Sequence, residues 1–320
     1  MTVEPAVPTN SRHQILALSG GGYRGLYTAC FLESCEEAFN TTCAEKFDLI
    51  TGTSIGALLA AGLALGVPGR ELKKAMLKHG PLIFPQNPMT FVKRLMVRAP
   101  YDTGPVRTAI ADVLRDKAKM PLNQLDTPLL IPAVNYTTGG ATLYASRGVA
   151  GPAAANTSLM DAVLASAAAP TFFPLKKTGT DQFADGGLIA NAPDMIALTN
   201  RISSGRVQLD DIYMLSIGTA GRRQGAALHS GELNPSVLSW FFHRGLVQSI
   251  MAAQEDLSLS QVTALLGNRH LRIDQEPTEK QVAAISSLDK ADQLATNTLT
   301  SLAKTSFDTH KTARSLRAFF

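Results

Sequence analysis

Phe47-Asp48-Leu49-Ile50-Thr51 runs straight into Gly52-Thr53-Ser54-Ile55-Gly56, and that into Ala57-Leu58-Leu59-Ala60-Ala61-Gly62-Leu63-Ala64-Leu65. The first piece is short and apolar, as a buried strand is; the last is apolar all round, as a buried helix is. Between them stands a serine with glycine two residues to either side. A Cβ at either glycine would clash where strand and helix close on each other. The segment predicts a strand, a sharp turn and a helix, with the Ser54 hydroxyl pushed outward over the helix N-terminus. Backbone N–H groups and the positive end of the helix dipole then lie close to its oxygen. This is how a chain presents a nucleophile.

Working outward, Gln14 to Ser19 predicts a buried strand, Gly20-Gly21-Gly22 a loop, and Gly25 to Phe39 a helix. Two strand–helix units in succession argue for an α/β fold with parallel pairing and a sheet covered on both faces. Arg70 to His79, Thr90 to Arg98 and Thr103 to Arg115 read as peripheral helices punctuated by prolines. Leu129 to Asn135 and Ala141 to Ala145 read as strands of a hairpin, and Leu159 to Ala168 as a small-residue helix ending at Pro170. Phe183-Ala184 leads into Asp185-Gly186-Gly187, and Ile212 to Gly218 is a further strand. Val237 to Leu266 and Leu288 to Leu316 read as long helices with a short strand near Leu271-Arg272-Ile273. The organisation expected is one domain over residues 1–320, with a catalytic core at about 14–220 and a helical C-terminal region at about 221–320.

The 320 residues, 45% hydrophobic and 18% charged, suffice for a full core. No charge falls between Asp48 and Arg70, a stretch of 21 residues (49–69). It is not read as a membrane span, because its first third is a strand and a glycine turn. Met1 to Asn10 carries prolines and an acid rather than an apolar core, so no signal peptide is read and a cytoplasmic location is expected. Cys30, Cys35 and Cys43 fit neither a zinc pattern nor a disulfide framework, and are expected as buried free thiols. The net charge of +4 is mild, and no metal or cofactor is expected.

Gly20-Gly21-Gly22-Tyr23-Arg24-Gly25 matches the form of a dinucleotide loop. That reading wants an acid at the end of the second strand to hold a ribose. Here the strand ends in Thr51-Gly52-Thr53-Ser54, and its acid, Asp48, lies near its start. The other use of such a loop is an anion cradle, with converging N–H groups and the charge of Arg24. If it faces Ser54 it is an oxyanion hole; the bland alternative is a tight turn that lets the helix approach the sheet. The serine needs a base. None of the six histidines, His13, His79, His229, His243, His270 and His310, sits in a glycine-flanked loop after a clear strand. Asp185 does, with Gly186 and Gly187 behind it. An aspartate carboxyl in water titrates at about 3.9, so it serves as a base toward serine only where water is excluded. A dry apolar pocket is thus implied, and Ala167 to Pro174 and the helix after Ser54 supply apolar walls.

Taken in order, Gly20 to Gly25, Gly52 to Gly56 and Asp185-Gly186-Gly187 resemble the motifs of the patatin-like phospholipase family. Ala165-Ser166-Ala167-Ala168-Ala169-Pro170 and Leu215-Ser216-Ile217-Gly218-Thr219 are similar to it too, so the resemblance spans about residues 14–220. Ser19 and Tyr23 depart from it, standing where many members have an acid and an isoleucine or alanine. The resemblance implies a three-layer α/β/α fold with a mainly parallel central sheet and a Ser–Asp dyad that works without histidine. Ser54 is the implied nucleophile and Asp185 the implied base. Gly20, Gly21, Gly22 and Arg24 are the implied oxyanion hole, and Gly25, Gly52, Gly56, Gly186 and Gly187 complete the motifs. The implied reaction is hydrolysis of lipid acyl esters, above all glycerophospholipids at a membrane surface, through an acyl-enzyme. More loosely, the chain resembles the bacterial anti-phage effectors of the family. That implies a cyclic dinucleotide activator rather than a nucleic-acid polymer as partner, with Arg222, Arg223, Arg269 and Arg272 as candidates to hold it. Oligomerisation stays open.

Phe91 to Arg98 and the tail from Lys304 to Phe320 mix apolar and basic residues and are candidate lipid-facing segments. Two rival readings remain. One is an α/β-hydrolase with a Ser–Asp–His triad drawing on His243 or His270. The other is a binding protein that keeps the fold without the chemistry.

Overall fold

The computed structural model describes residues 12–85, 99–149, 156–205, 207–221 and 246–320. The expected helix Thr90 to Arg98, the candidate lipid-facing segment Phe91 to Arg98, and Arg222, Arg223, His229 and His243 lie outside them.

The centre of the sheet is β1 (His13–Leu18), flanked in parallel by β2 (Leu49–Gly52) and β7 (Ile212–Ile217). β3 (Leu129–Asn135) extends it parallel to β2, and β8 (His270–Ile273) extends it parallel to β7. β4 (Gly140–Ala145), β5 (Lys176–Thr178) and β6 (Asp181–Asp185) pair antiparallel at the other end. The order is β5-β6-β3-β2-β1-β7-β8, with β4 on β3. Alternation along β1 divides the core in two. Leu16 and Leu18 face one apolar cluster; Ile15 and Ala17 face the other. Helices cover both faces, and the three-layer α/β/α arrangement follows.

The larger layer contains α1 (Gly25–Phe39), α2 (Ile55–Ala64), α3 (Gly69–Ile83), α4 (Thr103–Leu114), α5 (Leu159–Ser166) and α9 (Gln293–His310). α2 is buried from Gly56 to Ala64, as a helix with no polar residue must be. The opposite layer holds α6 (Asp194–Ser203) and α7 (Leu246–Leu266), whose Ala197, Leu198, Val262 and Leu266 pack on Ile15 and Met214. α8 (Glu279–Ile285) precedes α9. The three cysteines are buried free thiols, and burial pushes the Cys30 thiol up to about 11.

β3 has a detail that decides the site. β4 lies along one edge of β3, from Leu130 to Asn135. The other edge is shared: β2 pairs with Leu129 and Leu130, and β6 takes over at Ala133. β2 ends just there, because Gly52 turns the chain away.

The expected lipid-facing tail is corrected. Phe319 and Leu316 are buried, Phe319 stacks on Phe47 at 6.1 Å, and Phe320 stacks on Phe39 at 5.3 Å. These side chains are apolar because they close the core, and a buried face is not offered to a bilayer.

Candidate active site

Ser54 follows β2 and precedes α2 with φ 56° and ψ −119°, a conformation rare for any residue with a Cβ. A Cβ on Gly52 would overlap the Gly56 carbonyl, and one on Gly56 would overlap the Leu18 carbonyl. The glycines are thus required by close approach of β1, β2 and α2. Two buried hydroxyls hold the turn. Thr53 Oγ1 donates to the Ala190 carbonyl at 2.6 Å, and the Ser54 N–H donates to Ser166 Oγ at 3.0 Å.

Register brings the carboxylate to meet the serine. Thr51 pairs with Leu130 and Asp185 with Ala133, on the same edge of β3. Three residues of strand are about 10 Å, and Ser54 is three residues past Thr51. Ser54 Oγ donates to Asp185 Oδ2 at 2.7 Å, and the Gly187 N–H donates to Asp185 Oδ1 at 2.6 Å. Asp185 is 4% exposed. Burial pushes its carboxyl up to about 6, against the opposing pull of the Ser54 and Gly187 hydrogen bonds. A Cβ on Gly186 would overlap the Pro132 carbonyl, so this glycine too is demanded by packing.

The glycine loop lies beside the pair. A Cβ on Gly20 would come 3.4 Å from Ser54 Cβ. Its N–H is occupied, donating to the Asn191 carbonyl at 2.9 Å, and the Tyr23 N–H donates to the Leu288 carbonyl at 2.8 Å. The N–H groups of Gly21 and Gly22 have no acceptor among the described residues. The expected cradle of Gly20, Gly21, Gly22 and Arg24 is therefore narrowed: Gly20 serves close approach, not donation. Arg24 shares the cavity wall with Ser54 but makes no hydrogen bond to it. Its guanidinium lies against Gly221, and its Nε is buried without a partner among the described residues. Burial lowers its pKa, while Asp274 and Glu255 work the other way.

Behind the loop is a polar network. Arg272 donates to Ser19 Oγ and Ser216 Oγ, each at 2.9 Å, to Glu255 Oε1 at 2.8 Å and to Asp274 Oδ2 at 2.7 Å. Asn191 Nδ2 donates to Glu255 Oε2 at 2.6 Å. Arg269 bonds the Leu209 carbonyl and Asp210. Arg269 and Arg272, the two of the four candidate nucleotide-binding arginines that are described, are thus engaged within the chain. His270, the candidate of the rival triad reading, is occupied too. Its Nε2 meets Asp194 at 3.1 Å and its Nδ1 meets Thr263 at 2.9 Å, so both ring nitrogens have partners other than Ser54. His79 pairs with Asp112 and His310 with the Ser306 carbonyl. Among the described residues no histidine bonds Ser54 or Asp185.

Ser54 and Asp185 open into a cavity of about 740 Å³. Leu58, Leu72, Met76, Ile110, Val163 and Phe172 give it an apolar arm. Among the described residues no group of three acidic, histidine or cysteine side chains could hold a metal ion. The arrangement is suited to placing an ester of a long apolar chain against an alcohol, a carboxylate and two free amides. Sequence reading did not find Thr53, Asn191, Glu255 or the role of Ser166. Ser166 had a signal, because it lies in the small-residue run 165–170. Glu255 had none, since its partners are far away in the chain.

A family model described as patatin-like phospholipase matches residues 16–198. A protein of Pseudomonas aeruginosa named cGAMP-activated phospholipase is 34% identical over 92% of this chain and 86% of its own length. Proteins of the same name from Vibrio cholerae (34% identical, 76% of this chain and 75% of its own) and Escherichia coli (31%, 92% and 88%) are also similar. The chain belongs to the patatin-like phospholipase family, and its class as a phospholipase enzyme follows from that membership.

Proposed function

We propose that the chain hydrolyses acyl esters of membrane glycerophospholipids with Ser54 as nucleophile and Asp185 as base, under the control of a cyclic dinucleotide. The observation that carries the chemistry is the 2.7 Å hydrogen bond from Ser54 Oγ to a buried Asp185 at the root of an apolar cavity. Asp185 takes the hydroxyl proton as Ser54 attacks the ester carbonyl. The tetrahedral oxyanion is received by the Gly21 and Gly22 N–H groups at the start of the helical turn. Collapse breaks the ester C–O bond, and the leaving lysolipid oxygen takes the proton back from Asp185. Water, deprotonated by Asp185, then attacks the acyl-enzyme carbonyl; the bond to Ser54 Oγ breaks, Oγ takes the proton back from Asp185, and the fatty acid leaves. The acyl chain occupies the apolar arm.

The substrate sits in a bilayer, and among the described residues no helix is long and apolar enough to cross one. The reading is therefore of a protein that meets the membrane from one side during turnover. Control by a cyclic dinucleotide is supported by the names of the three bacterial relatives. The test is release of fatty acid from phospholipid vesicles, with and without cGAMP and a panel of other cyclic dinucleotides. Ser54→Ala and Asp185→Asn are each expected to lower the rate ~10³-fold or more. Full activity in either removes that residue from the mechanism. Equal rates with and without nucleotide remove the activator and leave a constitutive hydrolase.

A further inference from the structure

Ser166 is wholly buried at the C-terminal end of α5, inside the small-residue run whose purpose the dyad does not explain. Its hydroxyl oxygen accepts the Ser54 N–H at 3.0 Å, and its carbonyl accepts the Gly186 N–H at 3.2 Å. One residue thus grips the backbone of the nucleophile and the backbone of the loop behind the base. Two residues on, the Ala168 carbonyl accepts the Asp185 N–H at 3.0 Å. The close approach is built in, because a Cβ on Gly186 would stand 3.3 Å from Ser166 Oγ. The bond to Ser166 also helps hold Ser54 at a positive φ, which persists only where its surroundings over-determine it.

We propose that Ser166 is a positioning residue: by accepting the Ser54 amide it ties the elbow to the helix end that carries the Asp185 loop, and so sets the distance over which the proton passes. The proposal rests on the reading of Ser54 and Asp185 as a dyad. With the hydroxyl gone, the Ser54 N–H has no acceptor, the elbow relaxes toward a commoner backbone conformation, and Oγ moves off the carboxylate. A shift of this kind is enough to lower a rate strongly while leaving the substrate site intact.

Three variants test it. Ser166→Ala removes the acceptor, Ser166→Cys keeps the shape but offers a poor one, and Ser166→Thr restores a hydroxyl. For phospholipid hydrolysis, kcat is expected to fall ~10- to 100-fold in the alanine and cysteine variants, with KM within about twofold and threonine recovering most of the loss. A fluorophosphonate should label Ser54 more slowly by a similar factor, yet reach the same final fraction. The acid limb of the pH–rate profile should move to higher pH, because the Ser54 hydroxyl no longer stabilises the Asp185 carboxylate. The other acidic or basic groups that line the same cavity are Arg24, His79, Glu255, Asp256, Arg272, Asp274 and Glu276. None of them is altered, so a role through packing alone leaves the limb in place. Alanine and cysteine variants that keep kcat within about threefold overturn the proposal and leave the dyad standing. A loss of labelled fraction at an unchanged labelling rate and an unmoved limb also overturns it. A wild type that is inert toward phospholipid with every cyclic dinucleotide of the panel, and unlabelled at Ser54, ends the dyad reading and the positioning role with it.

Discussion

On the proposed mechanism, Asp185 is the residue at which stability and activity pull apart. Burial raises its carboxyl to about 6, above the roughly 3.9 of an unfolded chain. As a base it must be ionised, so kcat is expected to climb with pH through about 6 and level off above it; a flat profile from pH 5 to 8 contradicts the assignment. The stability sign is opposite. Between the two pKa values the unfolded chain is ionised while the native carboxyl prefers its proton, so the native state loses stability as pH rises from about 4 through 6. Above that the full cost, about 1–3 kcal/mol, persists. Asp185→Asn should therefore raise the urea midpoint at pH 8 while abolishing turnover, and the gain should shrink at pH 4. A gain of equal size at both pH values refutes the account. Ser54 and Asp185 were legible in the sequence because each is flanked by glycines that only a crowded turn requires. Gly20 was legible as a glycine that something must approach, but not as an amide already spent on Asn191. Asn191, Glu255 and Thr53 were illegible, since each is an ordinary polar residue until partners distant in the chain arrive beside it.

At the scale of elements, the shared edge of β3 is what converts two separate turns into one site. β6 must run antiparallel for Asp185 to finish beside Ser54, and periodicity does not report strand direction. The other elements were read with mixed success for physical reasons. α1 was expected and found over Gly25–Phe39, because a glycine-rich loop and a positive-φ Asn40 bound it. β5 was missed: three residues with two lysines read as loop, although lysines are also how an edge strand avoids unwanted pairing. α6 was missed because Met195, Ile196, Leu198 and Ile202 are interleaved with polar residues and follow a proline directly. α8, seven residues long, carries its signal in the Thr278 and Gln281 capping box rather than in any hydrophobic repeat. Gly56→Ala tests the crossing of β1 and α2. The added methyl meets the Leu18 and Ser19 carbonyls, which are backbone and cannot swing aside. The expected result is a loss of about 2 kcal/mol or more and of labelling at Ser54. Gly104→Ala, where the nearest atom would be 3.6 Å away, should lie within about 0.5 kcal/mol of wild type or be more stable. Equal melting temperatures for the two variants count against the packing argument.

Over the whole molecule, the last third of the chain completes the first. β8 is the outer parallel strand, α9 packs on α1, and the terminal phenylalanines stack on Phe39 and Phe47. The three-layer class was legible because consecutive strand–helix units permit little else. The tail was misread because basic and apolar residues intermixed describe a lipid-facing helix and a core-closing one equally well. Phe319→Ala separates the two. It should destabilise the fold by about 3–5 kcal/mol, measured by urea unfolding. Flotation with phospholipid vesicles, measured below the melting temperature, should stay at the wild-type level. Weakened flotation with unchanged stability restores the tail as an anchor.

The Leu288 carbonyl that holds Tyr23 has a consequence for how the protein is made. A ribosome delivers Ser54 early, but the carbonyl that holds the Tyr23 N–H beside it is not in place until residue 288 has emerged. A nascent or prematurely released fragment carries Ser54 without the contact that holds the neighbouring loop. On the proposed mechanism, a chain truncated before residue 288 is therefore expected to label at Ser54 with a fluorophosphonate more slowly than the full chain.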